Sequence, residues 1–300
     1  MKVLHIDTGR EMRGGQHQVL LLLKLLDEAG IDVKLLAREG SPLLDEARKL
    51  KFKVAPATVR NVFIDSCDAD LTHAHDARAH TIAAIACCRP IVVSRRVAFP
   101  VKSNVLSHWK YTKAARFLAV SQFVRNQLQA AGIPPAKIDV VHDAFAGREP
   151  GIWDPIAPAV ALESNDPRKG RPLIEQASKL CGIPVHFSAN LPRDLSRASM
   201  FVYITQTEGL GSAAILAMQM GIPVIASCVG GLAEVFEHQR SGLYTENQPE
   251  EIAKNMSRLA QDEKLVAAMI AEAKARAHEK FSPERLVDDT TASYGRALSG

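Results

Sequence analysis

Thr207-Glu208-Gly209-Leu210-Gly211-Ser212 sets a carboxylate, two glycines and a hydroxyl at the entrance to an apolar run. Residues 200–205 before it are β-branched and aromatic, so a strand should feed the loop. Glycines at 209 and 211 let the backbone approach a ligand, and Ser212 is placed to cap the helix that follows. The N–H groups of a helix start carry partial positive charge, which suits a diphosphate at Gly211 and Ser212. Glu208 stands just ahead of that anion site. A carboxylate there repels phosphate, so its chemistry is to accept hydrogen bonds from neutral hydroxyls. Phosphate on amides plus hydroxyls on a glutamate describes a nucleotide sugar.

Other residues could act beside it. Arg13-Gly14-Gly15-Gln16-His17-Gln18 falls between a first strand and a first helix, where Gly14 and Gly15 let donor or acceptor reach the backbone. His73-Ala74-His75-Asp76 puts two imidazoles on one face of an extended segment, with His80 further on. Zinc would need further ligands, and the sequence offers none at obvious spacing; a histidine hydrogen-bonded at a strand end is the plain alternative. Arg96, after the run ending at Ser94, is always charged and cannot be a base, but it can clamp phosphate or sugar hydroxyls. Lys102, His108, Trp109, Lys110, Tyr111, Lys113 and Arg116 read either as a docking face for an anionic acceptor or lipid, or as an ordinary helix with a solvated basic face. Gly-x-Ser-x-Gly, the Walker sequence and the three-glycine dinucleotide fingerprint are all absent from the sequence.

The 207–244 region resembles the donor-binding motif of the retaining GT-B glycosyltransferases of family 4. That motif runs Glu, Gly, an aromatic or aliphatic residue, Gly, then a second acidic residue eight positions after the first; here the first is Glu208 and position 216 is Leu216. Gly221-Ile222-Pro223-Val224-Ile225-Ala226-Ser227, Gly230-Gly231-Leu232-Ala233-Glu234 and Ser241-Gly242-Leu243-Tyr244 continue the likeness. The resemblance implies an α/β GT-B fold, two Rossmann-like domains whose parallel sheets face across a cleft, with the second domain abbreviated. It implies a GDP- or UDP-sugar donor, transfer to an acceptor hydroxyl with retention, and no metal or other cofactor. Asp166-Pro167-Arg168-Lys169-Gly170 resembles the loop whose lysine contacts the donor diphosphate. The family's arginine five residues earlier is Ser164 here, and Arg168 is the nearby substitute. Histidines such as His75 would touch sugar or acceptor, and Arg96 stands where many members carry a histidine. The expected catalytic set is therefore Glu208, Lys169, Arg96 and His75. The expected nucleotide-sugar set is Gly14, Gly15, Arg168, Lys169, Glu208, Gly209, Leu210, Gly211 and Ser212. Leu216 cannot accept ribose hydrogen bonds, which leaves three alternatives: another group such as Glu234 holds the ribose, the donor binds weakly, or the chain is a nucleotide-sugar-binding partner subunit without transferase activity. A GT-B epimerase is argued against by the Glu208 motif.

The elements that must hold these residues alternate. Strands are expected at 3–6, 31–36, 71–73, 91–94, 116–120 and 138–141, with helices at 16–29, 41–50, 77–87, 105–115 and 121–131. Such alternation gives a parallel sheet with ligands at the carboxyl ends of its strands. Residues 144–158 hold glycines and prolines without periodicity and read as the linker, placing domains at 1–147 and 148–284. Strands are expected at 159–162 and 185–188, helix at 172–180, helix-like turns at 195–198, and terminal helices at 249–261, 264–279 and 283–298. The last of these, 285–300, is expected to pack back on the first domain.

Three hundred residues suit two domains of ordinary size. Residues 1–147 carry 21 basic against 14 acidic side chains and 148–300 carry 16 against 19, so the first half should meet something anionic. Candidates are a sugar, lipid-linked or phosphorylated acceptor, or peripheral contact with an anionic membrane; no nucleic-acid signature appears. Five cysteines, an odd number without CxxC spacing, suit a reducing compartment. A cytoplasmic protein, at the inner face of the membrane in one version, is the expectation.

Overall fold

The computed structural model describes residues 1–101, 105–145 and 149–299. Two compact units emerge: Met1–Asp143 together with the chain from Pro283 onward, and Ala144–Ser282. The expected boundary at 147/148 lies outside the described residues, as does Lys102.

The first unit runs β1 (Lys2–Asp7), α1 (Gly14–Glu28), β2 (Asp32–Ala37), α2 (Pro42–Lys49), β3 (Lys53–Pro56), α3 (Val59–Asp68), β4 (Leu71–Ala74), α4 (Ala77–Ala86), β5 (Ile91–Arg95), α5 (Val105–Lys113), β6 (Ala114–Ala119), α6 (Gln122–Ala130) and β7 (Ile138–Val140). Every strand pairs parallel, in the order β3-β2-β1-β4-β5-β6-β7. Ser41, Thr58, Asp76 and Ser121 each accept a backbone N–H at a helix start, which fixes where α2, α3, α4 and α6 begin. Strand order reverses between β1 and β4, with His5 opposite His73. Ligands of doubly wound sheets sit at the carboxyl ends beside such a reversal.

β3 and α3 escaped the sequence reading for physical reasons. β3 is a short edge strand with no buried residue, and α3 buries only Val62 and Ser66 while Val59, Phe63 and Ile64 stay in solvent, so neither is fixed by a wide apolar face. The helix expected over 105–115 ends at Lys113, because buried Ala114 already pairs with Ile91. The five cysteines are not all free thiols either. Cys67 and Cys88 are joined as a disulfide with Cα atoms 5.5 Å apart, and Cys87, Cys181 and Cys228 remain unpaired.

The second unit runs β8 (Ile152–Trp153), β9 (Ala159–Leu162), α7 (Arg171–Cys181), β10 (Val185–Ser188), α8 (Leu191–Asp194), β11 (Arg197–Ala198), β12 (Phe201–Tyr203), α9 (Ser212–Met220), β13 (Val224–Ser227), β14 (Leu243–Thr245), α10 (Pro249–Gln261) and α11 (Glu263–Phe281). Its parallel sheet has the order β10-β9-β12-β13-β14. Ile174, Val202, Ile225, Ile252, Met256 and Met269 fill the core between sheet and helices. The helical turn expected at 195–198 is displaced to α8, and Arg197–Ala198 instead pairs with β8, inside the segment read as linker. The Arg197–Asp154 ion pair, 2.7 Å, joins those two short strands.

α12 (Pro283–Leu298) belongs to the first unit and packs on α1, β5 and β6. Asp139 anchors it: the carboxylate takes Arg116 at 2.7 Å, Ser293 Oγ at 2.8 Å and Arg296 at 3.0 Å. Among the described residues no helix is long and apolar enough to cross a membrane.

Candidate functional site

In the second unit the chain leaves β9 for β10 on one side and reaches β12 on the other, so its strand order reverses between β9 and β12. The loops leaving those two strands carry Lys169 and Glu208, and Gln206 N–H donates to Arg168 O at 3.0 Å to tie them together. Lys169 Nζ lies 2.8 Å from Glu208 Oε2. The Tyr203 hydroxyl donates to the same Oε2 and lies 3.4 Å from Lys169 Nζ. Gly209 N–H donates to Oε1 at 3.0 Å. Lysine and glutamate side chains remain 26% and 21% exposed, so a ligand can reach them. Burial first, and the Glu208 carboxylate second, push the Tyr203 phenol well above its usual range, so it acts as a donor.

The backbone around Glu208 is clamped. Gly231 N–H donates to Glu208 O at 3.0 Å. Gly230 has φ +53°, and a Cβ there would stand 2.3 Å from that carbonyl oxygen, so only glycine fits. On the β9 side, Gly170 has φ +64° and a Cβ would meet Ile204 Cγ2 at 2.5 Å. Beneath the loop, Ser227 Oγ accepts Thr205 N–H at 2.9 Å and meets Asn247 Oδ1 at 2.6 Å, while Asn247 Nδ2 donates to Thr205 O at 3.0 Å. Strand ends β12 and β13 and the turn after β14 are thus locked to one another.

Not every expected residue stands where expected. Gly211, not Ser212, is the cap residue of α9, and Ser212 is the first helical position. Arg168 turns to Asp166, with Nε–Oδ1 at 2.9 Å and Nη2–Oδ2 at 2.6 Å, and holds that carboxyl down at about 2. Leu210 is buried, and so is Leu216, like Ala214, Ile215, Ala217 and Met218, in a helix that is apolar nearly all round. Gly14 and Gly15 open α1, and a Cβ on either would meet no atom within 4 Å; chain packing does not demand glycine there.

In the first unit a buried polar row crosses the carboxyl ends of β1, β4 and β5. Arg96 Nε donates to Asp143 at 2.9 Å, and its Nη1 lies 3.4 Å from His75 Nδ1. His75 Nε2 meets His5 Nδ1 at 2.9 Å. An arginine can only donate, so His75 carries its proton on Nε2 and His5 carries its own on Nε2, a buried atom without a hydrogen-bond partner. His73 Nδ1 lies 2.6 Å from the Tyr294 hydroxyl and its Nε2 2.8 Å from Ser94 Oγ. Burial pushes the Tyr294 phenol far up, so it stays protonated beside His73. Burial, aided by the Arg96 charge, lowers His5 to about 3 and takes His73 and His75 well below 6.5, so all three imidazoles are neutral. His73 and His75 have no third ligand at obvious spacing in the chain; the sheet supplies His5 from the neighbouring strand, and one nitrogen from each of the three lies within 4.8 Å of the others. Arg96, expected to clamp phosphate or sugar hydroxyls, is paired here with Asp143.

The basic stretch also divides. Lys110 Nζ donates inward to Ala77 O at 3.0 Å, Tyr111 stacks on Phe117, and Arg116 holds Asp139. His108, Trp109 and Lys113 face solvent. Tyr203, Gly230, Asn247, His5, Asp143 and Tyr294 were not picked out as site residues. Tyr203 had one signal: a hydroxyl at the end of a strand that leads straight into the motif.

Two doubly wound parallel units of this kind define the GT-B class of α/β proteins. Two family models match the chain: "Glycosyltransferase Family 4" over residues 12–145 and "Glycosyl transferases group 1" over 175–276. The chain belongs to the family 4 glycosyltransferases. It is similar to a D-inositol 3-phosphate glycosyltransferase of Salinispora tropica, 30% identical over 52% of this chain and 34% of the relative. An uncharacterised glycosyltransferase of Methanocaldococcus jannaschii is 30% identical over 34% of this chain and 26% of the relative. The chain thus aligns with only about a quarter to a third of these relatives' lengths. Among solved structures, Anabaena HepE in complex with UDP matches with a TM-score of 0.87 at 16% identity, covering 98% of this chain and 100% of that one. The same protein with UDP-glucose gives 0.85 at 17%, covering 98% and 99%.

Proposed function

We propose that this chain is a retaining glycosyltransferase that moves a sugar from a nucleoside diphosphate sugar to an acceptor hydroxyl. One observation carries the reading: Lys169 and Glu208, on the two loops that flank the reversal in the second sheet, meet at 2.8 Å beside the start of α9. In that arrangement Lys169 and the amides at Gly211 and Ser212 answer the charge that builds on the leaving diphosphate. Glu208 accepts from a sugar hydroxyl. The UDP and UDP-glucose complexes of HepE support a uridine donor, and GDP-sugars remain the other arm of the test. The first unit receives the acceptor: a sugar, a lipid-linked or a phosphorylated hydroxyl compound, in cell-surface glycan, lipopolysaccharide or glycolipid synthesis. Peripheral contact with the inner face of the cytoplasmic membrane fits its excess of basic side chains. The reaction needs no metal.

The test begins with melting curves in millimolar UDP, GDP and ADP. A ligand at a hundred times its dissociation constant stabilises by about 2.7 kcal/mol. No shift with any of them would overturn the donor assignment. Glu208→Gln should lower turnover about 10- to 150-fold, the worth of a hydrogen bond to a charged group. Leu216 favours one rival reading, since this buried leucine offers ribose no acceptor. A wild type that binds nucleotide but transfers nothing across a broad acceptor panel would be a binding subunit.

A further inference from the structure

Glu208 has little capacity left for a ligand. Oε2 already takes the Tyr203 hydroxyl and the Lys169 ammonium, and Oε1 takes Gly209 N–H. A carboxylate has about four lone-pair directions, so one acceptor position is open while Lys169 is in place. Lys169 is equally committed, with Glu208 at 2.8 Å, the Tyr203 hydroxyl at 3.4 Å and the Tyr203 ring centroid at 5.3 Å. An ammonium has three N–H donors, so one is left, and a diphosphate that draws more than one of them onto its own oxygens takes Lys169 from Glu208. That leaves a partly buried carboxylate which would lose much of its compensation, were it not for Tyr203.

We propose that Glu208 and Tyr203 form a releasable counter-ion for Lys169: a diphosphate draws the ammonium away, Tyr203 O–H stays on Glu208, and the vacated lone pair becomes the second acceptor for a donor sugar hydroxyl. This inference rests on the diphosphate reading of the site and deepens it. The geometry supplies the order of events. Tyr203 is 5% exposed on the last residue of β12 and cannot follow the ligand, while Lys169 ends the short 3-10 turn Pro167–Lys169 and carries a long flexible side chain that can. Burial keeps the phenol protonated, so it remains a donor throughout. Glu208 cannot retreat, because Gly230 and Gly231 hold its carbonyl. Tyr203 is accordingly a positioning residue, acting through Glu208.

The signs of three variants follow. Glu208→Gln removes the competing charge, and a diphosphate should bind about five- to tenfold more tightly, the scale of one charge-assisted contact in a part-exposed site. Tyr203→Phe leaves Glu208 more dependent on Lys169, and the same ligand should bind about three- to tenfold more weakly. In the Glu208→Gln background, Tyr203→Phe should change affinity by less than about twofold, since there is no carboxylate left to hold. A merely structural tyrosine, or one touching the phosphates itself, would weaken binding equally in both backgrounds.

The experiment is calorimetric titration of the full chain with UDP, GDP and inorganic pyrophosphate, for wild type, both single variants and the double variant. Melting temperature of each serves as the folding control, and Tyr203→Phe keeps the ring that fills the core. Opposite signs for the two single variants, with the tyrosine effect lost in the double, would support the counter-ion. Equal tyrosine effects in the two backgrounds, or an unchanged or weakened Glu208→Gln, would overturn it while leaving the diphosphate site standing. Should no probe bind either wild type or Glu208→Gln at millimolar concentration, the diphosphate reading and the counter-ion fall together.

Discussion

His5, His73 and His75 are close enough to suggest zinc, but five of their six ring nitrogens are spoken for and only His5 Nε2 is left over. His73 faces Tyr294 and Ser94, His75 faces Arg96 and His5, and the nearest charge is a guanidinium. A divalent cation would displace these hydrogen bonds and sit beside Arg96 with no carboxylate on it, against both coordination and charge. The protein purified in zinc or cobalt should therefore carry neither, by elemental analysis and by the absence of cobalt d–d absorption, and turnover should survive EDTA. Stoichiometric zinc, or activity restored by manganese after chelation, would contradict this. At this scale the sequence was partly legible. Lys169 and Glu208 announced themselves through local context, a cation before a glycine and a glutamate before a Gly-x-Gly turn. Tyr294 and Asp143 did not, because their partners His73 and Arg96 lie far away in the chain and only the sheet brings them together.

The loops after β9 and β12 work because neighbouring elements fix their backbones, and that shows most sharply at Gly230. Gly230→Ala would force a Cβ against Glu208 O at 2.3 Å from a residue with φ +53°. We expect a loss of about 1–3 kcal/mol of stability and a larger fall in turnover, as the Glu208 loop is displaced. Gly14→Ala is the counter-case: the residue opens α1 and its Cβ meets nothing, so stability should rise by about 0.4–1 kcal/mol. If Gly14 serves to let a ligand approach, transfer should still fall in that stabilised variant. Urea unfolding beside steady-state transfer separates the two effects; a Gly230→Ala protein of wild-type stability and activity would refute the clamp. Strongly patterned elements such as β1, α1 and α9 could be read from the sequence. β3, α3, β8 and β11 could not, since their burial is slight and their pairing depends on distant strands.

On the scale of the whole molecule the buried histidines all fall in the first unit. Of the first unit's seven histidines, His5, His73, His75 and His80 are buried while His17 and His108 are exposed and His142 is half-buried, whereas His186, His238 and His278 of the second are all exposed. Burial lowers His80 to about 4, with Lys110 adding to it, as burial and Arg96 lower His5 to about 3. These groups are neutral when folded and ordinary when unfolded, so their contribution is complete above about pH 6.5. Below it the unfolded chain gathers protons that the folded unit cannot take, and stability falls toward the folded values. Each imidazole contributes about 1.4 kcal/mol per pH unit to that slope. Asp7 and Asp289 oppose the trend, their carboxyls raised by burial, with Asp76 adding to it at Asp7, and so relieved on acidification, but they are two groups against four. In the second unit the lowered carboxyls of Asp154, Asp166 and Asp194 lose their contribution only as pH falls below about 4. Between pH 6.5 and 4.5 the first unit should therefore weaken while the second holds. Hydrogen exchange read by mass spectrometry at pH 7 and pH 5, corrected for intrinsic rates, should show peptides of β1, β4 and β5 losing protection before those of β12 and β13. Equal loss in both, or earlier loss in the second unit, would mean that the histidine row does not set the acid limit of this protein.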